Sequence, residues 1–186
     1  TVAMTSLLRP LLTLLPVLLV TACHAPGDTA APPQPVAHVD LHRYQGLWYE
    51  VASIPNRFQK QCAADTTAQY ALRDDGRVDV TNRCRTHAGS WDEAHGVARV
   101  IDSDSNARLQ VSFVDLFGWQ LFWGDYWILD LAPDYSHVVI GTPERRYGWI
   151  LSRTPTLPTV TRQAIDQRLR HQGYDLDAFL DTPQGR

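Results

Sequence analysis

Hydrophobic and polar positions follow distinct rhythms along the chain. From Leu11 to Val20 the residues are almost uniformly apolar, behind Arg9. From His24 to Val36 this gives way to Pro, Ala and polar residues, with Pro26, Pro32, Pro33 and Pro35. From Val39 onward, short runs of β-branched and aromatic residues are separated by turn signals. Alternation at every second position marks strands with one buried face. It predicts strands over 46–53, 66–72, 77–82, 96–101, 108–113, 121–131, 137–142 and 147–152. Asp74-Asp75-Gly76 supplies a hairpin turn, and Pro133-Asp134 and Glu144-Arg145-Arg146 punctuate the later strands. After Pro158 the spacing changes. Val160, Ala164, Ile165 and Leu169 recur as on one face of a helix, which Gly173 ends. A short final strand is expected over 178–182.

These elements predict an all-β fold: eight strands in up-and-down antiparallel order with one C-terminal α-helix. Closure into a barrel is favoured because it removes exposed edges. A flat sandwich would need long crossover connections, and few are present. A small barrel is either filled by its own side chains or holds one small ligand. The fold thus raises binding as a function without fixing it.

Composition changes the picture in three places. A length of 186 residues suits one domain plus a targeting segment. A net charge of −3 with no basic patch excludes nucleic acid as a partner. Arg9, the apolar run and the small residues Thr21-Ala22 before Cys23 form a secretory signal. The run is short for a membrane span, and Pro10 and Pro16 disfavour a continuous helix. Val20-Thr21-Ala22-Cys23 resembles the lipobox of bacterial lipoproteins, whose cysteine becomes the first mature residue and carries lipid. The alternative is a plain signal peptide with an incidental cysteine. The expected organisation is a signal peptide over 1–22, a lipidated Pro/Ala-rich tether over 23–38 and the barrel domain over 39–186.

Cys62 and Cys84 flank the Asp74-Asp75-Gly76 hairpin. In an oxidising compartment they are expected to form a disulfide that stabilises by roughly 3 kcal/mol. A metal or redox pair would call for a CxxC spacing, which is missing. No Gly-x-Ser-x-Gly, HExxH or phosphate-loop motif occurs, so no catalytic residue, metal ligand or cofactor is expected. His38 and His42 are read as solvated surface at the junction of tether and barrel. Glu50 shares the parity of Trp48 and is read as a hydrogen-bonded residue near the barrel base, with an inward ligand contact as the alternative.

Three segments in order carry a family resemblance: Gly46-Leu47-Trp48-Tyr49-Glu50, Asp134-Tyr135, and Arg153 within Ile150-Leu151-Ser152-Arg153-Thr154-Pro155. They resemble the motifs of the lipocalin family. Tyr126-Trp127-Ile128-Leu129 and the stretch from Trp149 to Pro155 are similar to the bacterial outer-membrane and apolipoprotein D-like members. The resemblance runs from Val39 to about Pro183. It implies that Gly46, Trp48 and Arg153 build a closed barrel base, the guanidinium packing on the indole for about 1–2 kcal/mol. If Arg153 points inward, strand parity turns Leu151, Trp149 and Tyr147 inward too. The same rule selects Tyr70, Val80, Val111 and Phe113 as ligand-facing. Trp149 is the leading candidate, because related bacterial lipocalins place an aromatic residue facing the cavity there.

The segment around Val114, Leu116, Phe117 and Trp119 departs from the family and reads either as a loop folded onto the barrel or as an apolar lip at its mouth. The resemblance implies a lipid-anchored binder of fatty acids, lysophospholipids or similar amphiphiles in the bacterial envelope. His24, where an aspartate would signal inner-membrane retention, implies the outer membrane, facing the periplasm. The rivals are an isomerase-like enzyme, with only Glu50 and tyrosines to offer chemistry, and a structural lipoprotein whose interior is filled. Ligand identity and oligomeric state stay open.

Overall fold

The structure, a computed structural model, describes residues 31–185. Eight staves close on themselves: β1 (Gly46–Ser53), β2 (Cys62–Leu72), β3 (Val78–Thr86), β4 (Trp91–Val100), β5 (Arg108–Ser112), β8 (Gly124–Leu131), β9 (His137–Gly141) and β10 (Gly148–Ser152). Each pairs with the next, and β10 returns antiparallel to β1. Between β5 and β8 a separate hairpin forms from β6 (Val114–Leu116) and β7 (Trp119–Leu121). Helix α1 (Leu41–Tyr44) precedes the barrel, and α2 (Thr159–His171) follows it. The expected barrel with one C-terminal helix is therefore present.

The predicted strand over 121–131 needs correcting. Leu121 belongs to the β6–β7 hairpin, and Phe122 turns the chain with φ 57° before β8 starts at Gly124. Aromatic residues rarely adopt this left-handed backbone, so an apolar run gives no warning of it. The final strand shrinks to β11 (Leu180–Asp181). Nor is the 114–121 segment folded back on the barrel: Phe117 and Trp119 stand in solvent.

Period-two alternation sorts the apolar residues into two cores. On β9, Val138 and Ile140 face the barrel interior with Trp48, Tyr70 and Leu109, while Val139 faces outward. The outer set joins Leu129 and Ile150 to Ile165 and Leu169 of α2, both almost fully buried. That stripe explains why a helix with otherwise polar faces docks here. Arg162 adds an i,i+4 bond to Asp166 at 2.9 Å, and Gly173 takes φ 80° just past the helix.

The barrel has a closed end, where β1 starts and β10 finishes, and an open end carrying the connections 54–61, 87–90, 113–123 and 142–147. Toward the open end β1 and β2 part after pairing at Tyr49 and Thr67. The C-terminus fills the gap. Leu180–Asp181 pairs with Ser53 and Ala52, and the Gln184 amide donates to the carbonyls of Glu50 (2.8 Å) and Thr66 (2.9 Å). The N-terminal segment runs from the open end to the closed end. Arg145 of the open-end turn donates to the Ala31 carbonyl, Gln172 brackets Gln34, and Val39 reaches Ser105 at the closed end (2.7 Å). The predicted signal peptide and Cys23 lie outside the described residues.

Candidate functional site

The closed end is built around one indole. Trp48 is fully buried, and its Nε1 donates to the Tyr44 carbonyl at 2.9 Å. The Arg153 guanidinium lies 3.8 Å above the ring centroid. Its N–H groups donate to the carbonyls of Leu47 (2.8 Å), Arg43 (2.9 Å) and Gln45 (2.8 Å), so one side chain ties α1 to β1. Gly46 is required twice over: its φ is +97°, and a Cβ there would sit 3.3 Å from Arg153 Nη1. Tyr135 completes the assembly by accepting from the Asp40 backbone at 2.8 Å. The three motif segments thus converge on a plug whose chemistry is packing and hydrogen bonding.

Above the plug the interior narrows to an apolar cavity of about 20 Å³, room for one water. The predicted Tyr70, Val80 and Val111 line it, together with Leu41, Tyr44 and Tyr126. Three phenols meet at its edge. Tyr126 Oη lies 2.6 Å from Tyr44 Oη and 2.9 Å from Tyr70 Oη. Burial pushes the Tyr70 hydroxyl up to about 12 and holds Tyr44 and Tyr126 well above the ordinary tyrosine range. All three are protonated at neutral pH. Three O–H protons share two contacts, so one proton is left without a phenolic acceptor.

The remaining predicted pocket residues lie elsewhere. Leu151 is packed in the interior core, and half-buried Trp149 sits beside that core toward the mouth. Trp149 Nε1 donates to Gln59 Oε1 at 3.0 Å, and Tyr147 stacks on the Trp149 ring with centroids 6.1 Å apart. Phe58 covers Tyr147 in turn at 5.8 Å. Phe113 is at the rim, partly exposed, its ring over Gly96 where no Cβ would fit. The structure thus places three predicted residues on the cavity wall and puts Trp149 and Tyr147 under the 54–61 loop.

Glu50 is buried and hydrogen-bonded as expected, but not at the base. It sits in the β1–β2 seam and accepts from Ser53 (2.9 Å), Gln59 (2.7 Å) and Thr182 (2.6 Å). Through Gln59 it is joined to Trp149. Cys62 and Cys84 form the expected disulfide, with Cα atoms 5.5 Å apart. His38 and His42 are exposed. Sequence reasoning missed Tyr44 and Tyr126. Tyr44 lies on a one-turn helix and has no strand parity. Tyr126 shares the parity of Ile128, but the bend at Phe122 hides where that strand begins.

Comparison with known proteins agrees with this geometry. A family model described as a lipocalin-like domain matches residues 39–184. Temperature-induced lipocalin-1 of Arabidopsis thaliana is 38% identical over 80% of this chain and 81% of its own. Outer membrane lipoprotein Blc of Escherichia coli K12 is 37% identical over 89% and 90%. Apolipoprotein D of Mus musculus is 29% identical over 85% and 83%. Among solved structures, insecticyanin from the tobacco hornworm Manduca sexta superposes with a TM-score of 0.66 at 21% identity, covering 83% of this chain and 85% of the other; that likeness speaks for the fold.

Proposed function

The chain belongs to the lipocalin family, and from that premise we propose that its barrel holds one single-chain amphiphile, a fatty acid or lysophospholipid, in the bacterial envelope. The observation that carries this reading is the chain of buried phenols Tyr44–Tyr126–Tyr70, with three protons for two mutual contacts, at the wall of an otherwise apolar cavity. The proton those contacts leave over favours an acceptor beside it. A carboxyl, ester or phosphate oxygen entering the barrel would accept from it, while the alkyl chain buries apolar area at about 25 cal/mol per Å².

Entry requires room that a 20 Å³ cavity lacks. The mouth is where it is gained, because Gln59 and Phe58 of the 54–61 loop cover Trp149 and Tyr147. The described form is then the closed one. Catalysis is disfavoured: the phenols are held protonated, and Glu50 in the β1–β2 seam is occupied by three donors. Segment 1–22 is read as a signal peptide and 23–38 as a tether lipidated at Cys23. The similarity to outer membrane lipoproteins supports that membrane, with the barrel on its periplasmic side.

The small cavity favours one alternative, a structural lipoprotein with a filled barrel. A lipid extract of the purified protein, read by mass spectrometry, separates the two. Ligand binding predicts one amphiphile species near one per chain. No co-purifying lipid, together with no saturable uptake of palmitate, would leave the structural reading.

A further inference from the structure

The β6–β7 hairpin is the most apolar exposed feature of the described residues. Phe117 at its tip is 93% exposed, Trp119 76% and Phe122 82%, with Leu116 and Val114 beside them. Phe117 and Phe122 both take positive φ, 55° and 57°, which bulky side chains rarely adopt. Neither the turn nor the barrel core calls for an aromatic residue at these positions. A contiguous exposed apolar patch of this kind marks a contact surface.

Two further observations say what the surface meets. First, the described chain begins at the same end. Ala31 is held by Arg145 of the open-end turn. Residue 23 lies eight residues earlier, and eight extended residues reach at most about 28 Å. A lipid on Cys23 would therefore sit within that distance of the rim that carries the hairpin. Second, the two ends differ in charge. Open-end connections carry Arg57, Lys60, Arg145 and Arg146 against Asp115 and Glu144. Closed-end connections carry Asp40, Asp74, Asp75, Asp102, Asp104 and Asp134 against Arg43, Arg73, Arg77 and Arg153. Basic residues on the rim that carries an aromatic tip suit the interface of an anionic bilayer. A second copy of the chain is a poorer fit, because the hairpin offers far fewer than the roughly 20–30 residues a side of a stable interface.

We propose that the barrel docks mouth-down on a lipid bilayer, with Phe117, Trp119 and Phe122 inserted at the headgroup level. The orientation rests on the anchored reading of Cys23, whereas the affinity of the hairpin does not. The mouth would then open onto the pool from which an amphiphile is drawn.

The test uses the exported full chain carrying Cys23→Ser, floated with vesicles of equal parts phosphatidylethanolamine and phosphatidylglycerol. The Cys23→Ser chain is expected to float with the vesicles. Adding Phe117→Ser, Trp119→Ser and Phe122→Ser should lower the bound fraction about tenfold or more at unchanged thermal unfolding. Ile101→Ser, which removes an exposed apolar residue at the closed end, should change nothing. Equal flotation with and without the three serines overturns the proposal. So does a dimer that the serines dissolve in protein that never binds vesicles. Palmitate uptake by the same protein in solution is read separately, so loss of docking and loss of ligand binding are told apart.

Discussion

At the closed end of the barrel an indole, a guanidinium and a run of backbone carbonyls satisfy one another, and the indole is fully buried. At the open end aromatic side chains face solvent, a loop covers Trp149 through one glutamine, and the C-terminus rather than β2 seals β1. The same sheet supports both. The difference shows where each kind of residue is constrained. Base residues are fixed by each other, so substitution there is felt as stability. Mouth residues are fixed by little inside the chain, so substitution there should be felt as binding.

The largest effect should come from the base. Trp48→Ala leaves a buried void, strips Arg153 of its ring and removes the shorter of two hydrogen bonds to the Tyr44 carbonyl. It is expected to cost about 3–5 kcal/mol in a denaturant titration. Next comes the disulfide, which spans 22 residues. Replacing both Cys62 and Cys84 by Ser should cost about 3 kcal/mol, read the same way. The three-serine hairpin variant should shift stability by less than about 1 kcal/mol, since the side chains it removes are exposed. A loss comparable to that of Trp48→Ala would erase the contrast between the ends.

The smallest effect belongs to His137, where β9 leaves the closed end. Its Nε2 has no hydrogen-bond partner among the described residues, and Asp130, 3.9 Å away, is taken by Arg168 at 2.6 Å. Burial, and secondarily Arg168, holds the imidazole below its ordinary value against the pull of Asp130. The unfolded chain therefore takes up this proton more readily than the folded one. Stability should be full above about pH 6.5 and decline as pH falls through that value. In His137→Gln this part of the pH slope should vanish from the unfolding curves.

The base was legible in the sequence because its three motif segments resemble those of a known family. Gly46, Trp48 and Arg153 are marked by the family resemblance, Trp48 on β1 and Arg153 just past the end of β10, and the Asp74-Asp75-Gly76 hairpin puts Cys62 and Cys84 on adjacent strands, whose register shifts near Ala64 then set their final offset. The interior was half legible. Tyr70, Val80 and Val111 follow from parity, whereas Tyr44 comes from a helical turn and Tyr126 lies past a bend. The mouth was least legible. Phe122 breaks an apolar run that otherwise reads as one strand. The Gln59 bridge between Trp149 and Glu50 depends on how a loop folds over, which no periodicity encodes.

The claim that matters most is that an amphiphile enters the barrel beneath the 54–61 loop and passes Trp149. A titration of palmitate against the wild type, Trp149→Ala and Trp48→Ala, each at a temperature where it is folded, tests it directly. The account predicts saturable binding at one per chain, weakened about tenfold or more by Trp149→Ala, or roughly 1.4 kcal/mol. Folded Trp48→Ala should bind nearly as the wild type does. Unchanged affinity in Trp149→Ala, with affinity lost in folded Trp48→Ala, would contradict the account and exchange the pocket for the plug.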